Sequence, residues 1–228
     1  MARIAEELLL LLLDNASAQP GLNRARRERV LSAAVLLDLA HACRIRPAMD
    51  SESVEAGRLV VLRGPDPSDP VLAPVLGMLA RRPISPAAAI AKLRRDIPGA
   101  VLWQLERTGQ IQQVRLQAGG FLGFSRHRAW PLIDRTRVTR ARAAMMSALF
   151  DHGTPDPTTA TIISLLYAVD GLGAVLSLND RGWEWVLSRA GDIASGSWVS
   201  ESEPGLAEVN LAVTTAAVRH ALKFNPPR

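Results

Sequence analysis

The chain has 228 residues, 48% hydrophobic and 21% charged, with a formal net charge of +5. That length can bury a core without disulfides or metals, and a charged fraction near the globular average of about 25% excludes a globally disordered chain. Cys43 is the only cysteine, so no internal disulfide can form, and Lys92 and Lys223 are the only lysines. The basic excess is therefore almost entirely arginine, the residue that meets phosphate through planar paired hydrogen bonds, and it suits an anionic partner such as lipid headgroups or nucleic acid.

Residues 5–13 read as a short helix that enters the core, with Glu6 and Glu7 as solvated acids of its first turn. The six leucines from Leu8 to Leu13 imitate a signal segment, but acids precede them and Asp14 ends them, where a secretory signal has a basic approach. No segment reaches the ~20 apolar residues of a membrane span. The expectation is a cytoplasmic protein in a reducing compartment, with its first helix buried. Pro20 and Gly21 break the chain before a long helix over residues 24–44, whose start carries Arg24, Arg26, Arg27 and Arg29. Cations there oppose the helix dipole, so the run suits either a solvated face or a bound anion. Cys43 falls in the apolar stretch 33–45 and reads as a buried structural thiol.

A short strand is expected over 58–63 and a loop over 64–70, followed by a helix over 71–81. Ser85 before Pro86 signals a helix start, giving a helix over 87–95. Pro98 opens another helix that runs through Arg107 and is closed by Gly109. Two extended runs, 110–116 and 121–128, flank Gly119-Gly120 and predict a β-hairpin with its turn at 117–120. A basic amphipathic helix over 137–150, a linker at 153–157 and an apolar helix over 158–178 follow. The remaining expectations are a turn at 179–182, a helix over 183–193, an exposed stretch at 194–205 and a final helix over 206–223.

No chemistry-bearing motif emerges. His41, His127, His152 and His220 lack metal-ligand spacing, and there is no nucleophile elbow, phosphate loop or dinucleotide fingerprint. The expectation is a non-enzymatic protein with no metal and no cofactor. Two regions suit binding. Phe121, Leu122 and Phe124 at the hairpin, followed by Arg126, His127, Arg128 and Trp130, fit insertion into a membrane interface, or equally a hairpin folded onto the core. The arginine runs at 24–29, 94–95 and 135–142 suit anions, or equally a solvated surface.

Four segments share a family pattern: AEELLLLLLDN at 5–15, AAVLLDLAHACRI at 33–45, LERTGQI at 105–111, and 153–169 with its Pro155-Asp156-Pro157 and Leu165-Leu166-Tyr167-Ala168. In order and spacing they resemble the Golgi phosphoprotein 3 family, its bacterial branch more than its eukaryotic one. The resemblance implies a mainly α fold, a single domain over residues 1–228 with a protruding hydrophobic β-hairpin. It implies peripheral binding at the cytoplasmic face of a membrane through phosphatidylinositol 4-phosphate, and an adaptor role. Of the family's headgroup positions, one falls on Arg95, with Arg94 adjacent; the others fall on Asn23, Ser32 and Pro98, which cannot replace a Trp and two arginines. Each lost paired phosphate contact costs about 1.5–3 kcal/mol. The candidate headgroup set is therefore Arg95, Arg94, Arg27, Arg24 and Arg26, with Phe121, Leu122 and Phe124 for insertion or oligomerisation.

The partners expected are anionic membrane lipids and, through the hairpin, a second copy of the chain. Two alternatives stay open. Residues 87–109 followed by a hairpin have the order of a winged-helix nucleic-acid binder, though an apolar tip and a single cation on the second helix, Arg107, disfavour nucleic acid. The other alternative is an adaptor scaffold that oligomerises through the hairpin.

Overall fold

Six consecutive leucines leave a helix without a polar face, and such a helix is stable only where protein surrounds it. In the computed structural model, which describes residues 3–118, 125–151, 153–178, 180–199 and 205–223, helix α1 (Arg3–Leu13) has every residue from Leu8 to Leu13 at 1% exposure or less. Helix α2 (Arg24–His41) packs along it and is buried continuously from Arg29 to Ala40. Asn23 caps α2 by accepting a hydrogen bond from the Arg26 N–H at 2.9 Å.

Helix α2 stops three residues short of the expected end. The Cys43 N–H donates to the Ala40 carbonyl and the Arg44 N–H to the Leu39 carbonyl, with Cys43 left-handed at φ 51°. This is a Schellman closure that uses cysteine where glycine is usual. Cys43 is therefore a half-exposed turn residue, not a buried helical thiol. The closure turns the chain into strand β1 (Ile45–Pro47), which pairs antiparallel with β2 (Leu59–Val61), Ile45 opposite Val61. Strand β1, Ile-Arg-Pro, lacks the apolar run that marks Leu59-Val60-Val61 of β2, so the sequence does not signal it.

Helices α3 (Leu72–Arg81), α4 (Pro86–Leu93) and α5 (Ile97–Arg107) follow as expected. Ser85 caps α4 by accepting from the Ala88 N–H, and Gly109 at φ 70° closes α5. The hairpin is β3 (Val114–Ala118) against β4 (Ser125–Ala129). Its ladder pairs Gln117 with Arg126 and Ala118 with Ser125, so residues 117 and 118 of the turn expected at 117–120 are corrected to strand. Phe121, Leu122 and Phe124 lie outside the described residues.

Helix α6 (Thr136–Phe150) precedes α7 (Pro157–Ala168), which Asp156 caps through the Thr158 and Thr159 N–H groups. The expected helix to 178 ends instead at Ala168. Asp170 turns left-handed at φ 52°, the Gly171 N–H closes on the Leu166 carbonyl, and a 3₁₀ turn covers Leu172–Ala174. Helices α8 (Asp180–Ala194) and α9 (Leu206–Lys223) complete the chain. Between them Trp198 is buried on the core, a correction to the expected exposed stretch. The protein is mainly α, with two small antiparallel strand pairs among the described residues. No described helix is long and apolar enough to cross a membrane.

Candidate functional site

The α2 arginines point in different directions because successive helical residues are about 100° apart. Arg24 is exposed and its Nε donates to Glu28 Oε1 at 2.6 Å, the ordinary one-turn ion pair. Arg26 reaches the start of the 3₁₀ segment, donating to the Asp170 carbonyl at 3.1 Å, with the Asp170 carboxylate at 3.7 Å. Arg27 is half-buried and donates to the Leu22 carbonyl at 3.2 Å. Burial pushes its pKa down, as does Arg24, against the pull of Glu28.

Arg29 differs from these three. It is 7% exposed, its Nη2 donates to the Leu222 carbonyl at the end of α9, and no described carboxylate pairs with it. Its pKa is lowered first by burial and then by repulsion from Arg94. Arg94 is the exposed C-cap of α4, and exposed Arg95 adjoins it. Packing of α4 against α2 and α9 places Arg94 where its charge repels that of Arg29, and neither has an ion pair among the described residues. Of the sequence candidates, Arg94 and Arg95 share this corner; Arg24 and Arg26 are engaged by carboxylates.

Arg29 was counted in the arginine run but not singled out. The available signal was its position one turn before Ser32 on the same helical face. Ser32 itself is fully buried, its hydroxyl donating to the Glu28 carbonyl. Asn23 is spent as a cap and Pro98 occupies the first turn of α5. A second concentration of positive charge lies on the hairpin, where exposed Arg115 and Arg128 are direct cross-strand partners. Like charges so placed are unfavourable unless something screens them.

A cavity of about 750 Å³ opens between the N-terminal ends of α1 and α7, the end of α2, and α6, with Glu6, Glu7, His41, Gln110, Arg137 and Arg140 among its walls. Glu6 was expected in solvent, yet it is 1% exposed. Its Oε2 accepts from Arg137 Nη1 at 2.8 Å and its Oε1 has no described partner. Burial raises the pKa of Glu7 beside it. Behind this wall Asp38 accepts from the Ile4 and Ala5 N–H groups, and burial pushes its pKa up to about 8. The described residues contain no group of three His, Cys, Asp or Glu side chains arranged to hold a metal.

A mainly helical protein wound round two buried helices, with a β-hairpin inserted between α5 and α6, is the class these observations define. The chain belongs to the Golgi phosphoprotein 3 (GPP34) family, whose model matches residues 4–214, nearly the whole length. A comparison with curated proteins returns no match.

Proposed function

We propose that this protein is a non-enzymatic, peripheral membrane-binding module that recognises anionic lipid headgroups from the cytoplasmic side. The observation that carries the reading is a positive corner of buried Arg29 and exposed Arg94 and Arg95, none of which makes an ion pair among the described residues. The charge on buried Arg29 is disfavoured first by burial and then by Arg94, and an anion at this corner relieves that cost and takes charge-assisted hydrogen bonds from exposed Arg94 and Arg95. Half-buried Arg27, held on the Leu22 carbonyl on another face of α2, adds long-range field together with Arg24 and Arg26 behind their ion pairs. The opposed Arg115 and Arg128 favour the same kind of surface at the hairpin, where the apolar Phe121, Leu122 and Phe124 supply insertion or self-association.

Family membership supports the lipid reading, and phosphatidylinositol 4-phosphate is the headgroup that the resemblance favours. The substitutions at Asn23, Ser32 and Pro98 favour a broader preference for anionic lipid. The test is co-sedimentation with neutral vesicles, anionic vesicles and vesicles carrying phosphatidylinositol 4-phosphate, at near-physiological salt. Binding to charged vesicles alone, weakened by Arg94→Glu with Arg95→Glu, supports the proposal. Selectivity for the phosphoinositide narrows it to one headgroup. Absence of binding to every vesicle sinks it and leaves an interaction scaffold.

A further inference from the structure

Arg44 leaves the Schellman turn at the end of α2 and points into the protein. Its side chain is 8% exposed, and its Nε and Nη1 have no hydrogen-bond partner among the described residues. Nη2 lies 3.5 Å from the Asp66 carboxylate, a long contact to a side chain that is itself 93% exposed and so well solvated. A guanidinium removed from water with two donor positions unmet is costly. The loop runs close behind it: a Cβ built on Gly64 would sit 3.4 Å from Arg44 Nε and Nη1, so a side chain there would lie directly against the guanidinium.

Arg44 lines one side of a cavity of about 250 Å³. Its far wall is one face of α3, Ala73, Leu76, Gly77 and Ala80, at the one- and two-turn spacing that aligns residues along a helix. Val61 of β2 and Pro67 of the following loop complete the apolar lining. Nothing lies within 4 Å of a Cβ built on Gly77, so the space over this glycine is open.

We propose that this cavity is a binding site for a small organic monocarboxylate, its oxygens on Arg44 and its short apolar body along Ala73, Gly77 and Ala80. Charge selects the head: Asp66 is 93% exposed and 3.5 Å away, so water screens it and it leaves the site, and the single charge of Arg44 then balances one negative charge but not the two of a phosphate. The walls select the body, since they offer hydrophobic contact and no described polar group besides Arg44 and Asp66. The volume selects the size, being below the roughly 300–1,000 Å³ typical of drug-sized ligands. Asp66 competes for the same guanidinium from the mouth of the site.

The experiment is calorimetric titration of the full chain with hexanoate and with benzoate, beside 1-hexanol, hexylammonium and inorganic phosphate. The expected result is saturable binding of at least one acid with a Kd at or below about 1 mM, and none for the alcohol or the amine. Gly77→Leu fills the cavity from an exposed helical position, where the change from glycine also favours the helix. It should weaken the acid at least about tenfold, which is 1.4 kcal/mol. Asp66→Asn should tighten it severalfold by removing the competitor. The proposal is overturned if neither acid binds, if 1-hexanol binds as well as hexanoate, or if Gly77→Leu leaves the affinity unchanged. Phosphate binding as tight as hexanoate would also overturn it, by reducing the site to a bare anion contact.

Discussion

Asp38, in the last turn of α2, accepts the backbone N–H of Ile4 at the start of α1 at 2.8 Å, and its second oxygen takes the N–H of Ala5 at 3.1 Å. A helix start buried in apolar surroundings has free N–H groups that no water can reach. Here one helix supplies the cap of another across more than thirty residues of sequence. The contact fixes the depth at which the leucine helix sits.

Asp38→Ala should therefore destabilise the protein by about 2–4 kcal/mol, since it leaves two buried donors unmet and adds a cavity. Urea unfolding followed by circular dichroism measures it; a loss under about 1 kcal/mol would contradict the capping role.

The same residue predicts a pH dependence. Its folded-state pKa, about 8, lies above the ordinary 3.8, so the folded protein holds the proton more tightly than the unfolded chain. That contribution is complete at pH below 3.8, shrinks as pH rises, and is gone above about 8. The urea midpoint should fall between pH 6 and pH 8.5 in the native chain, a window on the upper side of that titration, and fall less in Asp38→Asn. Equal slopes in the two proteins would show that Asp38 does not titrate there.

Glu6 and Arg137 form an ion pair with one partner at 1% exposure and the other at 25%. Removing the arginine strands a buried acid, so Arg137→Met should cost about 2–4 kcal/mol, somewhat less than a fully buried pair because Arg137 reaches solvent. Adding Glu6→Gln to Arg137→Met should restore part of the loss. A double variant no better than the single one would mean that the pair is not coupled.

Cys43 occupies a left-handed conformation that L-residues enter at a cost of about 1–2 kcal/mol. Cys43→Gly should leave stability unchanged or raise it by up to about 1 kcal/mol, while Cys43→Val should lower it, since a β-branched side chain is least tolerated there. Thermal unfolding of the two variants gives the comparison, and greater stability of the valine variant would refute the assignment.

Arg94 and Arg95 are exposed and make no described ion pair, so reversing Arg95 should change stability by no more than about 0.5 kcal/mol, and reversing Arg94, which repels Arg29, should not lower it. Vesicle affinity should drop roughly fivefold for each positive charge removed, from about 1 kcal/mol per basic residue at an anionic surface. The drop should shrink at high salt. Unchanged sedimentation of the double Glu variant would exclude this corner as the lipid contact.

What could be read before folding was whatever depends on neighbours in the chain. The leucine run required a buried helix, Ser85-Pro86 marked a helix start, and Gly109 marked a helix end, because caps and breakers act within one turn. Family membership was likewise legible, since the pattern at residues 5–15, 33–45, 105–111 and 153–169 is one of apolar spacing. The misjudged ends of α2 and α7 have one cause. Both close through left-handed non-glycine residues, Cys43 and Asp170, which look like ordinary helix members until the Schellman hydrogen bonds form.

The sequence alone determined that this chain is helical, arginine-rich and built round its leucines, because composition and periodicity set which surfaces must leave water. The tertiary structure decided what each charge does. Arg24 and Arg26 find acids, Arg29 is buried on the Leu222 carbonyl without one, Glu6 is enclosed with Arg137, and Arg44 is shut in with two unmet donors. These outcomes depend on burial and on partners from distant segments. Electrostatic energies vary steeply with both, and neither is encoded at the position of the charge itself.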